Sequence, residues 1–174
     1  MKKYLLALLA VITIGLTASA VKPEITLSYG GYNQMDACDN HDGWGNVNTS
    51  WGSLNAGINF PVTRNFSFGP SYTFSSTTTK GGAFHSKIAY HAIMMNANYI
   101  YYRNSIVKVY GHLGLGSVIS HMQPLGENSY NKAYFGLQVS PVGAQVGIGS
   151  GFSMYGELGF GVQGILQVGF RYQL

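Results

Sequence analysis

The side chains with the most chemical capacity gather in one polar stretch, Asp36, Cys38, Asp39, Asn40, His41 and Asp42, followed by Gly43-Trp44-Gly45. Carboxylate, imidazole and thiolate are all metal ligands. Their spacing follows no zinc signature, and Asp39-Asn40-His41-Asp42-Gly43 falls short of a calcium loop of about twelve residues. No metal and no cofactor is expected there. The stretch is expected to be a solvated, turn-rich loop, with Trp44, His41 and Trp51 as candidate partner-binding residues, because exposed aromatics anchor interfaces. A second set is predicted to face inward from strands. Glu157 and Arg171 come opposite one another if the last hairpin is centred on Gly164, and they form an interior structural ion pair. His112 and Lys108 share an inward face, and His91 is a candidate to join them. Ser120-His121 and His85-Ser86 set hydroxyls beside imidazoles. Neighbours along a strand point to opposite faces, so adjacency builds no nucleophile–base contact, and no catalytic residue is expected.

Those inward positions exist only if the chain is built from strands, and a two-residue alternation says that it is. In the last hairpin one face is predicted to pair Leu158 with Phe170, Phe160 with Val168 and Val162 with Leu166. The other pairs Gly159 with Gly169, Glu157 with Arg171 and Tyr155 with Gln173. Charged residues make up 9% of the chain. A water-soluble sheet would need many more on its outer face, so the apolar face is the outer one and meets lipid.

Met1–Ala20 reads as a signal peptide: Lys2 and Lys3, an apolar core over Tyr4–Leu16, and Ala18-Ser19-Ala20 as the cleavage site. That core is too short to span about 30 Å of hydrocarbon. Residues 21–174 are expected to form one domain without an additional periplasmic domain, hence without peptidoglycan binding of that kind. Cys38 lies too far from the leader to carry a lipid anchor and has no second cysteine to pair with. The formal charge of +4 falls to +2 once Lys2 and Lys3 are removed, and no basic cluster is left to bind nucleic acid.

Eight strands are predicted, near 24–33, 51–60, 66–76, 88–101, 106–118, 133–148, 152–162 and 165–174. The second and third are expected to pair Phe60 with Phe66 and Ile58 with Phe68; the fourth and fifth pair Tyr99 with Val109 and Met95 with Leu113, and Asn96 with His112 on the inner face. In the sixth the apolar parity switches from Phe135, Leu137 and Val139 to Val142, Ala144 and Val146, which predicts a bulge at Ser140-Pro141. Pro70, within the third strand, has no such explanation. Long loops are expected at 34–50, 77–87 and 119–132, short turns at 61–65, 102–105 and 149–151, and a tight final turn at Gln163-Gly164. Aromatic girdles are expected at both rims: Phe60, Phe66, Tyr99, Tyr101, Tyr102 and Tyr172 on one, Tyr32, Trp51, Phe74 and Tyr134 on the other.

On the leader, the eight alternating segments and the ending Leu166-Gln167-Val168-Gly169-Phe170-Arg171-Tyr172-Gln173-Leu174, the chain resembles the small eight-stranded outer-membrane barrels of OmpA/OmpX type, and the generic outer membrane beta-barrel families of that size. It departs from them in ending on Leu174 rather than an aromatic. The resemblance implies an all-β, eight-stranded antiparallel up-and-down transmembrane barrel in the outer membrane. It implies outer-membrane lipid, both lipopolysaccharide and phospholipid, as surroundings, and the barrel-assembly machinery as partner during insertion. The expected role is structural or interactive, adhesion or binding of an unknown extracellular partner through the loops. Two alternatives stand beside it. One is a lipid A-modifying enzyme, although no histidine is followed two residues later by serine, as in the deacylase family, and no aspartate precedes a serine, as in the palmitoyltransferase family. The other is a soluble lipocalin-like ligand-binding barrel with its apolar face inward, for which the Gly43-Trp44-Gly45 likeness is faint. A pore is not expected, because eight strands leave an interior that side chains fill.

Overall fold

A computed structural model describes residues 22–36, 46–47, 51–81, 84–123 and 129–174. The leader, Cys38, His41 and Trp44 lie outside these residues. Eight strands run β1 (Glu24–Gly31), β2 (Ser53–Pro61), β3 (Phe66–Gly81), β4 (Phe84–Arg103), β5 (Val107–Gln123), β6 (Tyr130–Gly149), β7 (Phe152–Gly161) and β8 (Leu166–Gln173). Each pairs antiparallel with the next. β8 returns to β1 in a register from Glu24 opposite Gln173 to Gly31 opposite Leu166, which closes the barrel. The short strand Asn46–Val47 adds to β3 at Lys80 and Thr79.

The alternation sorts the two faces as anticipated. Ser53, Thr73 and Ser75 are fully buried on the inside, while Leu27, Ile93 and Phe170 point outward at 57%, 66% and 53% exposure. An apolar surface that wraps the whole barrel is stable only against hydrocarbon. The soluble ligand-binding alternative, which needs that face inside, is overturned.

Pairing registers differ from the expected ones, always by an even number. Phe60 sits opposite Phe68 and Ala56 opposite Tyr72. Met95 sits opposite Leu115, Asn98 opposite His112 and Leu158 opposite Leu166. A slip of two or four residues leaves every side chain on its own face, so face sorting cannot detect it. Val162 is a true exception. It points inward and is fully buried, not paired outward with Leu166, because Gly161 (φ 136°) and Gly164 (φ 111°) turn the β7–β8 connection into the barrel mouth.

Both irregular prolines have a structural account. The β6 ladders skip residues between Val139 and Val142 toward β7, and between Ser140 and Gly143 toward β5, so the bulge falls at Pro141. Pro70 faces a gap in the β2–β3 ladder, between Gly57–Ser71 and Phe60–Phe68, where no N–H is required of it. A second bulge, between Ile100 and Tyr102, had no signal in the alternation.

The larger correction concerns the rim. The segments 77–87 and 119–132 are mostly strand, with Gly81 opposite Phe84 and Met122 opposite Tyr130. β3 to β6 span 16, 20, 17 and 20 residues, whereas β1, β2, β7 and β8 span 8, 9, 10 and 8. One half of the barrel therefore stands well above the other as a four-stranded sheet. Above the bilayer neither face must be apolar, so alternation fades in Thr77-Thr78-Thr79, although β-branched residues keep the strand going.

Candidate functional site

The lumen is polar in its lower part and apolar at its mouth. Glu157 is the hub of the polar part. Its Oε1 accepts from Tyr110 Oη (2.7 Å) and Arg171 Nη2 (3.2 Å), and its Oε2 contacts His112 Nδ1 (2.8 Å) and Gln167 Nε2 (3.4 Å). Register alone would not have paired them, since Arg171 lies opposite Ser153 and Glu157 opposite Gln167. The long guanidinium stem crosses the difference and sits between the rings of Tyr110 and Tyr155, 4.4 and 4.3 Å from their centroids. Lys108 instead reaches Glu24 (3.3 Å) at the end where the short turns lie. Asn55, Asn96, Ser71 and Gln163 continue the network upward. A cavity of about 20 Å³ is left among these side chains, room for about one water, so the lumen is a core rather than a channel.

Above this network Ile88, Tyr90, Ala92, Met94 and Val118 form an apolar cluster closed by Val162 and Met35. Met35 is carried by a capped turn of helix. Asn33 Oδ1 accepts the N–H groups of Met35 and Asp36 (3.0 and 3.1 Å), and Asp36 Oδ2 accepts that of Asn33 (2.9 Å). Asp36 is 1% exposed, so the expected solvated loop begins as a plug. The Asn-x-x-Asp spacing is a capping-box pattern and was the legible signal for it.

His91 does not join the lumen. Its position on β4 is outward, where it bonds Tyr72 and lies 5.4 Å from the Phe74 ring. Phe74, Trp51 and Tyr29 continue this band, with Trp51 donating its indole N–H to Ser76 (2.8 Å). Trp51 therefore belongs to the aromatic girdle of the wall. Of the other histidines, His112 contacts Glu157 and His121 contacts Asn131. Among the described residues, no group of three or more metal-ligating side chains converges.

The feature that alternation gave no hint of is an open strand edge. β6 begins at Tyr130, but its ladder to β7 begins only at Gln138 opposite Gly161. Just above that point the edge is closed by other groups. Leu137 O accepts from Val162 N (2.9 Å), Leu137 N donates to Gln34 Oε1 (3.3 Å), and Gln34 Nε2 donates to Phe135 O (3.3 Å). By strand alternation, the backbone groups of Asn131 and Ala133 point the same way as those of Leu137. Among the described residues nothing pairs with them on that side. Asn131, Lys132, Ala133 and Tyr134 are all exposed. On the other side of the tall sheet, β3 is covered at Thr79 and Lys80 by Asn46–Val47. Among the described residues the sheet thus has one capped edge and one open edge.

A closed eight-stranded barrel, a lipid-facing belt, aromatic rims and a packed lumen together define a small outer-membrane β-barrel protein. No protein-family model and no curated protein sequence matches the chain. Among solved structures it is similar to Ail, the attachment invasion locus protein of Yersinia pestis. The crystal structure of Ail with the heparin analogue sucrose octasulfate has a TM-score of 0.49 at 13% identity, covering 86% of this chain and 92% of that one. Another Ail crystal structure gives 0.46 at 16% identity, covering 86% and 91%; the backbone structure in a phospholipid nanodisc gives 0.43 at 15%, covering 88% and 99%.

Proposed function

We propose that this barrel is a partner-binding protein of the outer membrane, and that the β6 edge at Asn131–Phe135 captures an extended segment of an extracellular protein by strand addition. The observation that carries this is the backbone groups of Asn131 and Ala133, which among the described residues have no strand partner, on a sheet that rises above the rest of the barrel. Such an edge is a template for another chain, and proteins normally blunt it. Here the edge is closed on the Leu137 side by Gln34, and no described residue covers it beyond that point. In the same reading Trp44 and His41 of the first loop supply side-chain contacts to the partner. The plugged lumen, in which His112 is engaged by Glu157, favours binding over catalysis. Met1–Ala20 serves as the export leader and β8 as the strand read by the assembly machinery.

Ala133→Pro is the test. Proline removes one edge donor and blocks the approach of a strand, yet the Ala133 N–H takes no part in the β5 ladder, so the barrel should still fold. Bacteria displaying the wild-type chain are expected to adhere to immobilised host-surface proteins, with adhesion falling about ten-fold for the variant at equal surface level. Undiminished adhesion by Ala133→Pro would refute the edge as the binding element.

A further inference from the structure

Among the described residues, six buried side-chain polar atoms have no hydrogen-bond partner within the protein. Three of them, Asn96 Oδ1, His112 Nε2 and Arg171 Nε, belong to residues that line the small cavity beside the Glu157 hub. All three residues are more than nine-tenths buried. Folded proteins leave few buried polar atoms unmet, and each costs stability unless something in the cavity bonds it.

The fold explains why these atoms meet in one place. On the β4–β5 ladder Asn98 lies opposite His112 and Asn96 opposite Gly114, so Asn96 and His112 are neighbours on the inner face. A Cβ at Gly114 would come within 2.5 Å of Asn96 Oδ1, so the missing side chain is what gives that oxygen its room beside the imidazole. Glu157 orients the other two groups. Its Oε2 lies 2.8 Å from His112 Nδ1 and its Oε1 accepts from Arg171 Nη2 at 3.2 Å. The carboxylate thereby occupies one nitrogen of each group and leaves His112 Nε2 and Arg171 Nε for another partner.

The donor and acceptor set indicates which partner. Asn96 Oδ1 can only accept and Arg171 Nε–H can only donate, while His112 Nε2 does either according to its protonation. A metal cation would be set against the Arg171 guanidinium, and an anion against Glu157 and the Asn96 oxygen. A water molecule both donates and accepts. The cavity measures about 20 Å³, one water needs at least about 10–15 Å³, and three partners is the usual number for a buried one. We propose that the lumen holds one structural water, bonded by Asn96, His112 and Arg171. Asn96 Nδ2 and Gln163 Nε2 both donate to Ser71 Oγ, at 2.7 and 2.9 Å. The water therefore joins the charged hub of β5, β7 and β8 to the polar network beneath the Gln163 turn.

The test counts held water by oxygen-17 relaxation dispersion of the refolded barrel in detergent micelles, where water retained inside the protein adds a dispersion that free water lacks. Asn96→Leu removes the acceptor at similar side-chain volume and puts apolar surface in its place. The variant is expected to lose the contribution of one water relative to wild type, while keeping the heat-shifted gel migration of a folded barrel. Equal dispersion in the two proteins would overturn the proposal. Should Asn96→Leu not fold, wild type alone decides: His112 Hδ2 and Hε1, the ring protons on either side of Nε2, must show nuclear Overhauser cross-peaks to water, and their absence would overturn it.

Discussion

Removing the Glu157 carboxylate should strand a buried cation. Glu157 and Arg171 are 3% and 6% exposed. In Glu157→Ala the guanidinium keeps Gln145 Oε1 (3.1 Å) and Tyr110 Oη (2.7 Å), together with two ring faces, and loses the counter-charge that it contacts at 3.2 Å. Breaking a buried pair from one side costs about 3–5 kcal/mol, whereas replacing both partners by well-packed apolar groups is close to neutral. Glu157→Ala should therefore lower the unfolding free energy by about 3–5 kcal/mol, measured by urea titration in detergent micelles. Glu157→Leu/Arg171→Met should lie well above Glu157→Ala. The cycle matters more than the single variant, because a cavity would also destabilise the single variant. If the double variant is as unstable as Glu157→Ala, the loss came from packing and the charge argument fails. If Glu157→Ala unfolds within about 0.5 kcal/mol of wild type, the pair holds nothing together.

Two further substitutions probe the wall and its edge. At Gly69 an added Cβ would lie 1.8 Å from the Ile58 carbonyl oxygen, at the ladder gap opposite Pro70. Gly69→Ala should therefore cost about 1–3 kcal/mol by overpacking, although strand propensity alone predicts a gain of about 0.5–1 kcal/mol. Gly156→Ala, whose Cβ would meet nothing nearer than 3.6 Å, is the control and should not destabilise in the same urea titration. Gln34→Ala removes both hydrogen bonds that close β6 at Phe135 and Leu137. At about 1 kcal/mol per bond, hydrogen exchange at the Leu137 amide should speed up about five-fold, and an unchanged rate would show that Gln34 does not close the edge.

Period-two reading found the eight strands, their faces and the Pro141 bulge, because a bilayer outside and a packed lumen inside impose opposite demands on alternate residues. It could not fix registers, since Leu158 is equally apolar opposite Phe170 or Leu166. It misread 77–87 and 119–132 as loops, because outside the membrane neither demand applies and the strands there are sustained by cross-strand bonds. Val162 was misplaced for a different reason. The two glycines beside it adopt positive φ and turn the chain inward, and glycine in a strand-rich sequence is too common to flag that by itself. Glu157 and Arg171 were legible as a charged pair on the inner face. The open edge was not, since backbone groups have no letter in the sequence.

The two halves of the barrel make opposite uses of the backbone, and this is why the edge can exist. Within the bilayer all eight strands close on one another, because an unpaired N–H or C=O is costly in hydrocarbon. Closure needs only short strands, and β1, β2, β7 and β8 supply 8, 9, 10 and 8 residues. Where those four stop, β3 to β6 continue as an open sheet in water, which can satisfy the two edges that closure had removed. One edge is nonetheless covered by Asn46–Val47 and the other is closed only as far as Gln34 reaches. Solvation alone would treat both edges alike, so among the described residues the asymmetry lies in how this chain covers them.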